Sequence, residues 1–364
     1  MRQIICSALN LILLIALVGC KNPKKSGQQN FISPISENVS FENSKDRITL
    51  KGTLSLPNEP STFPAVILIS GNGRNNRDSE FGDHKPFLDI SNYLTKNGIA
   101  VLRYDKRGVG QSEGNFDAAN SYDFAEDVSA ALDYLLTRKE IQKNNIGLIG
   151  HSEGGLIAPI VASNSSAIAF IVSLAGPSLA GDKILLNQQR ALAEIRGVDQ
   201  VKINRLQKVN REAFELVKQN KNDTVLKEKM IAYIQEISKN DPDKPKDMTY
   251  EKYVSAQVNS ILRPWMINFL RYDPKVYIRK VKCPVLALNG SRDLQVLAKE
   301  NLPKWKKVLV ESGNKNVTIK ELPDLNHQFQ TCETGLPKEY ATLNESFSPI
   351  ALREMTEWIK KQVR

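Results

Sequence analysis

The chain has 364 residues, 41% hydrophobic and 25% charged, with a mean hydropathy of −0.34. These values exclude a multi-span membrane protein, a collagen-like fibre and a wholly disordered chain. Lys and Arg number 50 against 40 Asp and Glu, a formal net charge of +10, but they are scattered and no phosphate-reading motif accompanies them, so no nucleic-acid partner is expected.

Arg2 is followed by a nearly uninterrupted apolar stretch from Leu9 to Val18. It is shorter than the roughly 20 residues a membrane span needs and fits the core of a secretion signal. Leu17-Val18-Gly19-Cys20 resembles a bacterial lipobox. That resemblance implies cleavage before Cys20, lipid on its thiol and attachment to a membrane face; the alternative is an ordinary signal peptide with a chance cysteine. Residues 1–19 are therefore expected to leave as a lipoprotein signal, taking one charge with them (49 − 40 = +9). Residues 20–36, rich in Lys, Asn, Pro, Ser, Gly and Gln, read as a flexible tether. The expected location is the bacterial cell envelope, lipid-anchored, on the outer membrane or its periplasmic face, since Lys21 rather than Asp follows the cysteine. Of the four cysteines, Cys283 and Cys332 remain for the body. Cys283 should start a strand whose far end lies near Cys332, and a seven-residue strand is about 23 Å long, so a bridge with its limit of roughly 7 Å between Cα atoms is not expected.

From residue 37 to 364 strands and helices alternate. Residues 39–41 and 48–56 read as an antiparallel start. Residues 65–70 (AVILIS) are a short β-branched run, as a strand covered on both faces requires. A helix over 87–96 closes at Asn97-Gly98, a strand follows over 99–104, and helical spacing of Phe124, Val128, Ala131, Leu132 and Leu135 marks 122–137. Strands at 145–149 and 167–174 flank a helix at 155–162. Strands at 285–289 and 317–322 and a closing helix at 349–361 complete the body. The pattern predicts an α/β fold with a mostly parallel sheet flanked by helices. Residues 178–270 interrupt it with helical segments near 183–196, 200–219, 223–238 and 250–262 and no strand candidate. They are expected to form a helical cap insertion over the carboxyl ends of the strands.

Chemistry concentrates at three strand ends. The strand at 145–149 runs into Gly150-His151-Ser152-Glu153-Gly154-Gly155 and then a helix. Gly-x-Ser-x-Gly in that setting is a nucleophile elbow, a strained turn whose flanking positions admit only glycine. A serine hydroxyl needs a general base, and the chain has three histidines. His84 precedes the serine and opens a helix, and His151 adjoins Ser152, where neighbouring side chains diverge. His327, in a loop after the last strand, fits the order nucleophile, acid, base. Asp293, just past the strand at 285–289, is the expected acid that orients the imidazole; Asp324 is the alternative, awkwardly close to His327. The oxyanion needs two N–H donors: the amide of Glu153, and one from the loop Gly71-Asn72-Gly73-Arg74, best supplied by Asn72. Asp105, Arg107 and Gly108 read as structural, an Asp–Arg interaction fixing the turn beneath the elbow. Trp265, Met266 and Phe269 stand at helical spacing, as an acyl pocket or as the core of the cap.

Together these residues resemble the α/β-hydrolase fold over nearly the whole mature chain. Ser70-Gly71-Asn72-Gly73 with Arg77-Asp78, Arg103 to Gly108, Gly150 to Gly155, Pro264-Trp265 with Tyr272-Asp273-Pro274, and Asn289 to Val296 are similar to a bacterial esterase-like branch, related to dienelactone hydrolase-like and acyl-peptidase-like enzymes. The resemblance implies hydrolysis of a small-molecule carboxylic ester through an acyl-enzyme, with Ser152, Asp293 and His327 as the triad and no metal or organic cofactor. The loop opens with Ser70-Gly71 rather than the His-Gly of many lipases. A serine nucleophile argues against dehalogenase and epoxide hydrolase chemistry, which uses Asp. Peptidase and thioesterase activity stay open on the same triad, although no propeller-like repeats appear, and a non-catalytic binding module is the rival class.

Overall fold

The computed structural model describes residues 35–239, 244–245 and 247–363. The expected signal, Cys20 and residues 21–34 of the expected tether lie outside the described residues. The first strand, β1 (Ile35–Asn43), starts two residues inside that tether, because Ile35 and Ser36 pair with Leu56 and Ser55 of β2 (Ile48–Leu56).

The chain continues through β3 (Phe63–Ile69), α1 (Pro86–Lys96), β4 (Ala100–Tyr104), α2 (Ser121–Thr137), β5 (Ile141–His151), α3 (Glu153–Ala162) and β6 (Ile168–Leu174). Helix α2 begins at a capping box: Asn120 Oδ1 accepts the N–H of Tyr122, and the Asp123 carboxylate accepts that of Asn120. Among the described residues six helices follow before the next strand: α4 (Gly181–Ile195), α5 (Gln200–Gln219), α6 (Asp223–Ser238), α7 (Tyr250–Ile261), α8 (Pro264–Arg271) and the single turn α9 (Lys275–Ile278). Then come β7 (Val285–Gly290), α10 (Ala298–Glu311), β8 (Val317–Leu322), a 3₁₀ turn (Pro337–Thr342) and α11 (Pro349–Gln362).

One eight-stranded sheet results, in the order β1-β2-β4-β3-β5-β6-β7-β8. The β1/β2 and β2/β4 pairs are antiparallel and the remaining five pairs are parallel. Its interior strands obey the period-2 rule with both faces apolar. In β3, Ala65, Ile67 and Ile69 face one core with α2 and α3, while Val66 and Leu68 face a second core with α1 and α11. Helix α10 crosses from β7 to β8 on the face of the first core, burying Leu302, Trp305, Val308 and Leu309. Cys283 and Cys332 are both free thiols, as expected.

Candidate active site

The turn from β5 to α3 forces its central residue into a conformation that side chains rarely take: Ser152 has φ 53° and ψ −119°. Two contacts hold it there. Its N–H donates to Leu174 O of β6 at 2.8 Å, and its carbonyl accepts from Gly155 N at 2.9 Å. The glycines on either side are there for lack of room. A Cβ on Gly150 would lie 2.1 Å from Gly154 O, and one on Gly154 would lie 2.0 Å from Ile69 O. The elbow is packed directly onto β3 and leaves Ser152 Oγ at the carboxyl edge of the sheet.

His327 reaches the same place from the loop after β8. That loop is a tight turn around Asn326, whose Oδ1 accepts the N–H groups of Gln328 and Gln330, while Phe329 takes φ 58°. His327 is buried at 3% exposure. Its Nε2 lies 3.0 Å from Ser152 Oγ and its Nδ1 lies 2.8 Å from Asp293 Oδ2. Asp293 follows β7 and is also buried. Its other oxygen accepts the backbone N–H groups of Gln295 and Val296 at 2.7 and 2.9 Å, which fixes the carboxylate before the imidazole meets it. Such a chain of contacts allows the hydroxyl to lose its proton to Nε2 as it attacks. Asp324 is elsewhere: it is exposed and paired with Arg292 at 2.7 Å. His84 is equally remote, with Nδ1 3.2 Å from Ser346 Oγ.

The loop after β3 lies against the elbow, for a Cβ on Gly71 would sit 3.1 Å from Ser152 Cβ. The Asn75 side chain caps it by donating to the carbonyls of Gly71, Asn72 and Gly73. Glu153 is the first residue of α3, where N–H groups lack a helical carbonyl. Of the apolar residues singled out in α8, Met266 and Phe269 are 6% exposed and pack in the first core, while Trp265 is partly buried, stacks on Phe269 and donates its indole N–H to Glu153.

Two pairings differ from expectation. Asp105 does not pair with Arg107. It takes Arg77 through Nε at 3.1 Å and a second guanidinium nitrogen at 2.8 Å, whereas Arg107 pairs with Asp127 and Asp46. The chain turns sharply after β4, so residues 105 and 107 face different neighbours, the loop after β3 and helix α2. The other surprise is His151. Its side chain does diverge from Ser152, but it meets the His327 loop: Nε2 lies 2.8 Å from His327 O and the two rings are 5.0 Å apart. Nothing in the local pattern marks that contact, which spans 176 positions.

Burial, and then the neighbouring His327 ring, push the His151 pKa down to about 3. A histidine held neutral in the fold and titrating near 6.5 when unfolded supports stability fully above pH 6.5 and loses that support as pH falls from 6.5 towards 3. Urea unfolding should therefore show a steeper stability loss between pH 6.5 and 4 for the wild type than for His151→Gln, which keeps a donor for the His327 carbonyl. Parallel losses in the two proteins would remove His151 as the cause.

A family model described as X-Pro dipeptidyl-peptidase (S15 family) matches residues 46–319. Esterase EstD of Thermotoga maritima is 26% identical over 315 residues, covering 86% of this chain and 66% of that protein. An acyl transferase of Photorhabdus luminescens is 33% identical over 125 residues, covering 34% of this chain and 37% of that one. The chain thus spans 66% and 37% of the lengths of these curated relatives. Among solved structures, Pyrococcus furiosus esterase Pf2001 matches with a TM-score of 0.54 at 17% identity, covering 95% of this chain and 100% of that one, a likeness of fold.

Proposed function

The chain belongs to the X-Pro dipeptidyl-peptidase (S15) family, and from that premise we propose that it is a serine hydrolase that cleaves small-molecule carboxylic esters through an acyl-enzyme. One observation carries the reading: Ser152 Oγ, both nitrogens of His327 and the Asp293 carboxylate lie in line at 3.0 and 2.8 Å, on an α/β-hydrolase fold. His327 Nε2 takes the hydroxyl proton as Ser152 Oγ bonds to the ester carbonyl carbon, and the carbonyl electron pair moves onto oxygen. That oxyanion is received by the N–H groups of Asn72 and Glu153. Collapse breaks the bond to the alcohol oxygen, which leaves with the proton held by His327. Water then attacks the acyl-enzyme by the same route, releasing the acid and restoring Ser152. Asp293 keeps the proton on Nδ1 throughout, so that Nε2 stays free to accept. No step calls for a metal or an organic cofactor.

The Thermotoga relative is named an esterase and the family description names a dipeptidyl-peptidase; one triad serves either bond. A p-nitrophenyl ester series from acetate to palmitate, run beside Ala-Pro-p-nitroanilide and a thioester, decides between them. Ester turnover that peaks at short acyl chains is expected. Turnover of the anilide alone would replace the ester reading with a peptidase, and absence of both turnover and fluorophosphonate labelling in folded protein would leave a binding module.

The proposal includes a location. The apolar stretch ending in Leu17-Val18-Gly19-Cys20 supports a lipid anchor at Cys20 that holds the enzyme on the bacterial cell envelope. Metabolic labelling with an alkyne fatty acid should mark the wild type in the membrane fraction and be lost in Cys20→Ser. Unlabelled, freely released wild-type protein would sink the anchor.

A further inference from the structure

Glu153 directly follows the proposed nucleophile, yet its carboxylate is buried at 3% exposure. Three donors from three separate elements close on it: Lys106 Nζ at 3.2 Å from the turn after β4, Ser121 Oγ at 2.7 Å from the start of α2, and the indole N–H of Trp265 at 2.6 Å from α8. Lys106 is buried as well, its ammonium 4.2 Å from the centre of the Phe124 ring. A buried ion pair loses its hydration and is weak support for stability, so its place in the site matters more than its strength. Lys106 Nζ also donates to the Gly71 carbonyl at 2.7 Å, which the Asn75 side chain meets at 2.8 Å. The Gly71 carbonyl and the Asn72 N–H belong to one planar peptide and point opposite ways. Holding the carbonyl on Lys106 therefore sets the direction of the Asn72 N–H. The same ammonium grips Glu153, the residue that supplies the other donor.

We propose that Lys106 and Glu153 are positioning residues that fix the spacing of the two amides of the oxyanion hole, and that Trp265 couples this spacing to the helices between β6 and β7. The proposal rests on the serine-hydrolase reading. With α8 seated, Trp265 stays on Glu153 and the two amides keep their working separation. Displacement of α8 removes one of the three donors and loosens the carboxylate that Lys106 shares with the Gly71 loop. The connection makes the helical segment a determinant of turnover as well as of binding.

The test measures kcat and KM on p-nitrophenyl butyrate, the thermal midpoint and the rate of fluorophosphonate labelling in the full chain. Glu153→Gln is nearly isosteric and removes the charge, Lys106→Met removes the ammonium, and Trp265→Phe removes the indole N–H. Expected are a fall in kcat of about 10- to 100-fold for Glu153→Gln and Lys106→Met and about 3- to 10-fold for Trp265→Phe, with KM within about threefold. The Glu153→Gln/Trp265→Phe double variant should lose no more than Glu153→Gln alone, since both act through one chain of contacts. Wild-type kcat with a lowered thermal midpoint would make the network purely structural and overturn the proposal, as would raised KM at unchanged kcat or additive losses. Should Lys106→Met not fold, Glu153→Gln and Trp265→Phe decide by the same criteria. A wild type that neither labels nor turns over overturns the hydrolase reading itself, whereas an active wild type with indifferent variants overturns this proposal alone.

Discussion

Ser152→Ala should lower kcat for a short p-nitrophenyl ester by about 10⁵- to 10⁶-fold while leaving the thermal midpoint within a few degrees. The hydroxyl is the only group removed, and among the described residues its side-chain partner is His327 Nε2. Alanine meets the same backbone strain at φ 53° as serine does, so the elbow keeps its shape. What is lost is the covalent route, because water cannot be held where Oγ stands with its proton already shared. Residual rate would come from the oxyanion donors and from binding alone. Retention of more than about 1% of wild-type kcat, in protein free of wild-type contamination, would mean that Ser152 is not the nucleophile.

Asp293→Asn should cost about 10⁴-fold in kcat with little change in fold, and the reason can be read from the two oxygens of Asp293. Oδ1 is committed to two backbone N–H groups, of Gln295 and Val296. An asparagine must keep its carbonyl there, since its NH₂ would face two donors. That choice turns the NH₂ towards His327 Nδ1, which then has to accept. The ring must carry its proton on Nε2, where a lone pair is needed for Ser152. A catalytically dead tautomer is thus enforced by the two backbone amides of Gln295 and Val296. The kcat measurement, paired with proton NMR of the Nδ1 hydrogen in the wild type and its loss in the variant, checks both halves. A loss below about tenfold would remove Asp293 from the role and return attention to Asp324.

How much of this was legible in sequence follows from whether each signal is local. The parallel strands announce themselves as short β-branched runs, and the elbow carries its reason within six residues. Asp293 and His327, which the structure brings to Ser152, each follow a strand end, and that position is visible along the chain. Helix α10 has apolar residues at helical spacing, but Pro303 inside it breaks the local pattern, and its part in the fold shows only in space. Asp105 meets Arg77 28 positions away, Arg107 meets Asp127 20 away, His151 meets His327 176 away and Glu153 meets Trp265 112 away. Those contacts depend on which loops the sheet order brings together, and no window along the chain contains them. The same holds for Trp265, whose spacing suggests packing while its indole N–H serves a carboxylate 112 residues earlier.

The sheet order also dictates a schedule of manufacture. Ser152 and the base that would activate it are 175 residues apart, and the six helices between β6 and β7 account for much of that distance. At about 5–20 residues per second, roughly 10–35 s separate the emergence of the serine from that of the imidazole. If Ser152 and His327 act as proposed, the growing chain holds its serine without His327 during that interval, and hydrolysis waits until the loop after β8 has been made.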